Sequence, residues 1–346
     1  SRDGIAHYKA NRGSFNEAIS NINKLTSKMI SCDSLEEFES LIISHEQIIS
    51  QVTKQTPVKD LLFSDFKELT KVGLSLSVVF SSVAGYLLAV ESINYTTLFL
   101  LTIGGYLMVG ASNAFNQVIE KETDALMKRT QNRPLPTGRM SVNMALTIAI
   151  LFTVVGLSIL YYINAKSALF GAISIFLYTC AYTPLKSVTP LAVFVGAFPG
   201  AIPFMLGWVA ATNEFGIEAG FLFLIQFFWQ FPHFWAIGWL QFEEYQKAGF
   251  NMLPMNRKDK AAVKQIIFYT VIMILVSVSP VLKMTGDFYI YPFTAIIIAL
   301  LGIVMLYYGL KLFKSQSNPD ARKLMLSSVL YITVVQIIYV VDKFLH

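Results

Sequence analysis

From Val72 to the C-terminus the chain alternates long apolar stretches with short polar connections, and before that point the pattern is different. Apolar runs cover 72–91, 95–118, 143–163, 166–184, 189–211, 217–240, 264–283, 289–310 and 324–341. Each approaches the roughly 20 residues that a helix needs to cross the hydrocarbon core of a bilayer. The pattern predicts about nine transmembrane helices, with the fourth and fifth so close that the count can shift by one. Residues 1–65 hold no run of that length. Their apolar residues recur at helical spacing, in Phe15, Ile19, Ile22 and Leu25 and again in Leu41, Ile42, Ile48 and Ile49. That predicts two or three short amphipathic helices in a soluble extension, without the basic, apolar, small-residue order of a signal peptide. The expected fold is all-α: a polytopic membrane domain over 66–346, its helices around a central cavity, after a short helical extension over 1–65.

Composition strengthens this reading. The 346 residues are 54% hydrophobic and 14% charged, and mean hydropathy is +0.54. A soluble domain carries about 25% charge, so a water-soluble protein of this size is excluded. Cys32 and Cys180 lie far apart without metal-ligand spacing. The net charge of +5 would suggest nucleic acid for a soluble chain, but here the placement of charge matters more, and no nucleic-acid partner is expected. Fifteen Lys and Arg residues fall in connections that nine alternating spans put on one side, against Lys166, Lys283 and Lys343 on the other. The positive-inside rule then places the long basic loops and the N-terminus in the cytoplasm.

Candidate chemistry concentrates at the end of the second span. Asn116, Glu120 and Asp124 are spaced i, i+4, i+8 and fall in one row on a helix. Carboxylates at membrane depth are costly and mark function, and a row of hard oxygen ligands suits Mg²⁺ shared with substrate phosphates. Lys128, Arg129, Arg133 and Arg139 follow, and guanidinium forks match phosphate oxygens. Acidic metal ligands followed by a basic cluster describe a site for a metal-bound diphosphate; the alternative is a charged loop that only obeys the positive-inside rule. Lys186, after the fourth span, is placed to reach a phosphate. Glu243 and Glu244, after the sixth span, form a second acidic group that either faces the first across a shared mouth or solvates a helix end. Within the sixth span, Trp229-Gln-Phe-Pro-His233-Phe-Trp235 carries the only intramembrane histidine. His233 there has three open roles: ligand to iron, proton shuttle, or a structural hydrogen bond. In the fifth span Gly196, Pro199, Gly200, Pro203 and Gly207 suggest a helix bent around an interior chamber.

On these residues the chain resembles the haem O synthases (protohaem farnesyltransferases) of the UbiA-type intramembrane prenyltransferase superfamily. The resemblance runs through Asn116 to Pro134, Tyr182-Thr-Pro-Leu-Lys186, Gly200-Ala-Ile-Pro203 with Gly207-Trp208, Trp229 to Trp235, and Ala248-Gly249 with Met252-Leu-Pro254. It covers about 66–346. Two positions depart from the family pattern: Glu120 replaces the usual Asp, and Ser187 stands where a second basic residue is common. The resemblance implies farnesyl diphosphate and haem B as substrates, haem O as product and Mg²⁺ as cofactor. Asn116, Glu120 and Asp124 would be the catalytic and metal-holding group, with Arg129, Arg133 and Lys186 on the diphosphate. His233, Trp229 and Trp235 would serve the haem side, with Phe227 and Phe228 helping Trp229 to shield a cation. It also implies a bacterial inner membrane and a partner that modifies haem further or assembles an oxidase. Prenylation of a quinone precursor or another aromatic ring stays open, as does an ion-coupled transporter, although transport sites lie near the midplane and these acids cluster at one face. Separately, Ser1-Arg-Asp-Gly-Ile-Ala and Pro57 to Asp65 resemble the C-terminal part of a bacterial GHMP-type kinase, here without phosphate-binding loops.

Overall fold

Every regular element among the described residues of the computed structural model is a helix. It describes residues 58–345 together with Ser20, Lys24, Leu41 and Ile42; the amphipathic helices expected before residue 58 lie almost wholly outside the described residues. The chain divides into two compact units, Ser1–Lys67 and Glu68–His346. The described stretch of the first consists mainly of most of helix α1 (Val58–Leu69).

The second unit is a bundle of long helices. Its elements are α2 (Val72–Ala89), α3 (Tyr95–Ile119), the short α4 (Lys121–Leu126), α5 (Val142–Ile163) and α6 (Ala165–Phe176). Helix α6 continues through a π-helical turn, Leu177–Tyr182, into Thr183–Leu185. Then come α7 (Ala192–Thr212), α8 (Ile217–Leu240), the short α9 (Phe242–Lys247), α10 (Lys260–Val278), α11 (Pro292–Ser315) and α12 (Asn318–Leu345). Several starts carry side-chain caps: Asn94, Ser141, Asn164 and Asp259 each accept a backbone N–H three residues on. Such caps satisfy donors that a helix end leaves unpaired.

Eight of these helices are long and apolar enough to cross a membrane. Helix α8 falls short in apolarity alone, since it has 24 residues and one charged side chain, Glu218. Its Gln226 and Gln230 are 7% and 2% exposed, so they face protein rather than lipid. Hydropathy charges a helix for such groups as if lipid surrounded them. With α8, nine helices of spanning length are found among the described residues, eight of them apolar enough to cross a membrane.

Helix α7 is the centre of the bundle. It is 72% buried, against 22–44% for the other seven apolar spans. It contacts α2, α6 and α8. A methyl group on Gly207 would collide with the Ser82 carbonyl and the Tyr86 amide of α2, so only glycine permits this approach. Pro199 and Pro203 do not break α7, which is helical throughout. Pro203 has no N–H for the Pro199 carbonyl four residues back, and Ser174 Oγ of α6 donates to that carbonyl at 3.2 Å instead.

Candidate active site

The acidic row lies at the junction of α3 and α4. The helix breaks at Glu120, whose backbone leaves helical geometry at φ −93°, ψ 12°. The row nevertheless persists: the Glu120 N–H donates to the Asn116 carbonyl at 2.9 Å, and the Asp124 N–H to the Glu120 carbonyl at 2.7 Å. Asn116, Glu120 and Asp124 are all buried, Asp124 completely. Buried carboxylates need a counter-charge, and each has one. Lys186 Nζ lies 2.7 Å from Glu120 Oε1, and Arg133 Nη1 lies 2.6 Å from Asp124 Oδ2. Asn116 Nδ2 donates to Thr183 Oγ1 at 3.4 Å, which leaves its amide oxygen available. The ends of the second and fourth spans therefore meet in one cluster.

That cluster forms one wall of a cavity of about 620 Å³. Lys71, Arg129, Arg133 and Lys186 all line it beside Glu120 and Asp124, so four cations face two carboxylates. Burial pushes the Asp124 carboxyl up, against the pull of Arg133. Burial pulls the Lys186 ammonium down, but the adjacent Glu120 carboxylate outweighs it and the net direction is up. Lys71 has no carboxylate in ion-pair reach among the described residues. Burial, reinforced by Arg133 and Lys186, brings its ammonium down to about 7. Its backbone is left-handed at φ 47°, just before α2, and this turn carries it into the cavity wall. A surplus of positive charge at the mouth of a cavity favours a polyanion.

The cavity continues between α8 and α12, where Trp229 and His233 line it. Their rings stack at 4.7 Å with an interplanar angle of 17°. Trp235, grouped with them by the sequence motif, does not line the cavity. It packs on Phe231 and Tyr269 at 5.3 and 5.2 Å. Six positions from Trp229 is about 120° around a helix, so the two tryptophans face different neighbours.

Nor do Glu243 and Glu244 line the cavity. Glu243 is an exposed partner of Lys258 at 3.8 Å. Glu244 accepts from the Lys128 N–H at 2.7 Å and from Lys247 Nζ at 2.8 Å; these bonds hold its carboxyl below the ordinary range. Glu244 does join the sixth-span loop to the basic loop, but as a structural clasp with both oxygens engaged.

The chain matches the UbiA prenyltransferase family over residues 78–333. It belongs to that family. It is 61% identical over 301 residues to a protein from Flavobacterium psychrophilum named protoheme IX farnesyltransferase, an alignment covering 86% of this chain and all of the relative. A protein of the same name from Christiangramia forsetii is 63% identical, with 82% and 95% covered. Among solved structures, a digeranylgeranylglyceryl phosphate synthase superposes with a TM-score of 0.68 at 20% identity, covering 82% of this chain and 99% of that one. A UbiA homologue from Archaeoglobus fulgidus bound to DMAPP and Mg²⁺ gives 0.61 at 16% identity, covering 80% and 99%. These structures share the fold, and a multi-pass membrane enzyme of the prenyltransferase class follows from family and helices together.

A UbiA-family chain implies a divalent cation, and the residues present fit one. Asp124 Oδ1 is buried and without a hydrogen-bond partner, a costly condition that a cation would relieve. No three His, Cys, Asp or Glu side chains converge on a metal site among the described residues. That suits Mg²⁺, which binds through one or two carboxylates and completes its shell with water and substrate phosphate.

The sequence reading of this UbiA-family site missed Lys71, because a lone lysine before a span looks like ordinary interfacial charge. It also missed the buried chain in which Gln336 Nε2 donates to Gln226 Oε1 at 3.1 Å and Ser81 Oγ to Gln336 Oε1 at 3.2 Å. The available signal was the spacing of Gln226, Trp229, Gln230 and His233, a polar stripe at helical period on an otherwise apolar span.

Proposed function

We infer that this chain transfers the farnesyl group of farnesyl diphosphate to a vinyl group of haem B, giving haem O. The observation that carries the reading is the near-complete alignment, at 61–63% identity, with proteins named protoheme IX farnesyltransferase. The site supports it by joining a cationic mouth to an apolar, aromatic-lined interior.

Asn116, Glu120 and Asp124 would hold Mg²⁺, whose charge, when bound, offsets that of the diphosphate. Arg129, Arg133, Lys186 and Lys71 would grip the phosphate oxygens and stabilise negative charge as the C1–O bond of the farnesyl group breaks. Trp229, which lines the cavity, would shield the allylic cation from water until the vinyl carbon attacks it, whereas Phe227 and Phe228, expected to share that role, do not line the cavity. The new C–C bond leaves a cation beside the macrocycle; water adds there and loses a proton, which completes the hydroxyethylfarnesyl group. Diphosphate is the other product. Fifteen cationic residues on the site's side against three opposite support a cytoplasmic mouth in a bacterial inner membrane. A haem-modifying or oxidase-assembly partner would take the apolar product.

Haem extracted from membranes of a host lacking its own enzyme tests the reading. Expression of this chain should convert part of the haem B to haem O. Unchanged haem with the protein inserted at normal level would overturn it.

A further inference from the structure

His233 is held from two sides. Trp229 stacks on its ring, and Trp229 Nε1 donates to the Ser328 carbonyl of α12 at 2.6 Å. The Ser328 hydroxyl, itself fully buried, lies 2.8 Å from His233 Nδ1. One serine thus anchors both members of the stack, through its backbone and its side chain.

The same hydroxyl decides where the histidine proton sits. Ser328 Oγ is 2.6 Å from the Met325 carbonyl. A carbonyl can only accept, so the single hydroxyl proton is committed there. A bare Nδ1 would then face the serine oxygen with no proton between them. The contact closes only if Nδ1 carries a hydrogen and donates it to Ser328. The neutral ring therefore keeps its lone pair on Nε2, the nitrogen left over on a side chain that lines the cavity.

We propose that Ser328 is a positioning residue that fixes His233 as an Nε2 lone-pair ligand for the iron of the acceptor macrocycle. This rests on the haem-acceptor reading above. A histidine that ligates iron commonly donates its other N–H to an oxygen, which sets ring orientation and tautomer. Here that arrangement is built before the substrate arrives, and Trp229 keeps the ring from turning. The anchoring helix is α12, far in sequence from every motif of the diphosphate end, so acceptor and donor sites are held by different helices.

The test uses the purified full chain titrated with ferric haem B, read by its Soret band and by electron paramagnetic resonance. Wild type should show a histidine-ligated spectrum. His233→Ala should lose it, and added imidazole should restore it. Ser328→Ala should weaken haem binding roughly tenfold or more while leaving farnesyl diphosphate affinity within about twofold, and Ser328→Thr should recover most of the loss. Retained diphosphate affinity certifies the fold of each variant. If wild type binds and farnesylates haem but the spectrum is the same in His233→Ala, the ligation proposal is overturned and the enzyme assignment stands. If Ser328→Ala binds haem like wild type, the positioning role is overturned. If wild type neither binds nor farnesylates haem, the assignment itself has failed.

Discussion

Lys186 Nζ and Glu120 Oε1 stand 2.7 Å apart with side chains only 10% and 8% exposed, so an ion pair ties the end of α6 to the end of α3 inside the site wall. Removing one partner from a buried pair leaves an uncompensated charge and costs about 3–5 kcal/mol. Lys186→Met should therefore lower the melting temperature in detergent as well as abolish turnover. Lys186→Met with Glu120→Gln should recover most of the stability and none of the activity. Equal stability of the single and double variants would mean the pair carries no structural weight.

Asp124→Asn should leave the protein inserted and folded, because the amide keeps the shape and can still accept from Arg133. It removes the charge behind the unpartnered Oδ1. Turnover should fall at least a hundredfold, with little rescue by excess Mg²⁺. Metal titration of the residual rate checks this; near wild-type activity would remove Asp124 from the metal-holding role.

Lys71 predicts a pH dependence. Its ammonium is brought down to about 7 from 10.5, so in the free protein it is charged below that pH and neutral above it. A bound diphosphate favours the charged form, so binding takes up a proton above about pH 7. Affinity for farnesyl diphosphate should weaken as pH rises from 7 to 9 and level off below 7. Lys71→Arg stays charged and should flatten the curve, which calorimetry at several pH values would measure. A lysine whose pKa falls on folding also weakens the fold: the penalty is complete below about pH 7 and fades towards 10.5. Lys71→Met should accordingly raise the melting temperature at neutral pH.

Gly207→Ala should be among the most damaging single-methyl changes in the bundle. The added carbon meets α2 backbone, which cannot move without separating the two helices. Overpacking of this kind costs about 1–3 kcal/mol. Gly220→Ala, with nothing within 4 Å, should be neutral or stabilising. Similar melting temperatures for the two would contradict the close α2–α7 contact.

The span pattern and the acidic row were legible because each depends on short-range periodicity. Asn116, Glu120 and Asp124 hold their register even though the helix breaks at Glu120, since the i→i+4 hydrogen bonds continue across the break. Lys186 was legible as a cation on the correct side, but its partner was not, because pairing across 66 residues is set by packing. Trp235 and the two glutamates were drawn in by motif adjacency. Helical phase turns Trp235 away from Trp229, and local cations occupy Glu243 and Glu244. Lys71 was hidden by its ordinariness: only the folded cavity separates a half-buried, cavity-lining lysine from an interfacial one.

The identity of the acceptor separates a haem farnesyltransferase from its relatives, and a single competition measures it. Purified protein is given farnesyl diphosphate, Mg²⁺ and equal concentrations of haem B, a hydroxybenzoate and a naphthoate, and the products are resolved by mass spectrometry. Haem B should emerge carrying one farnesyl group and one hydroxyl from water, with the two small acceptors unmodified. A prenylated benzoate or naphthoate beside unaltered haem B would contradict it.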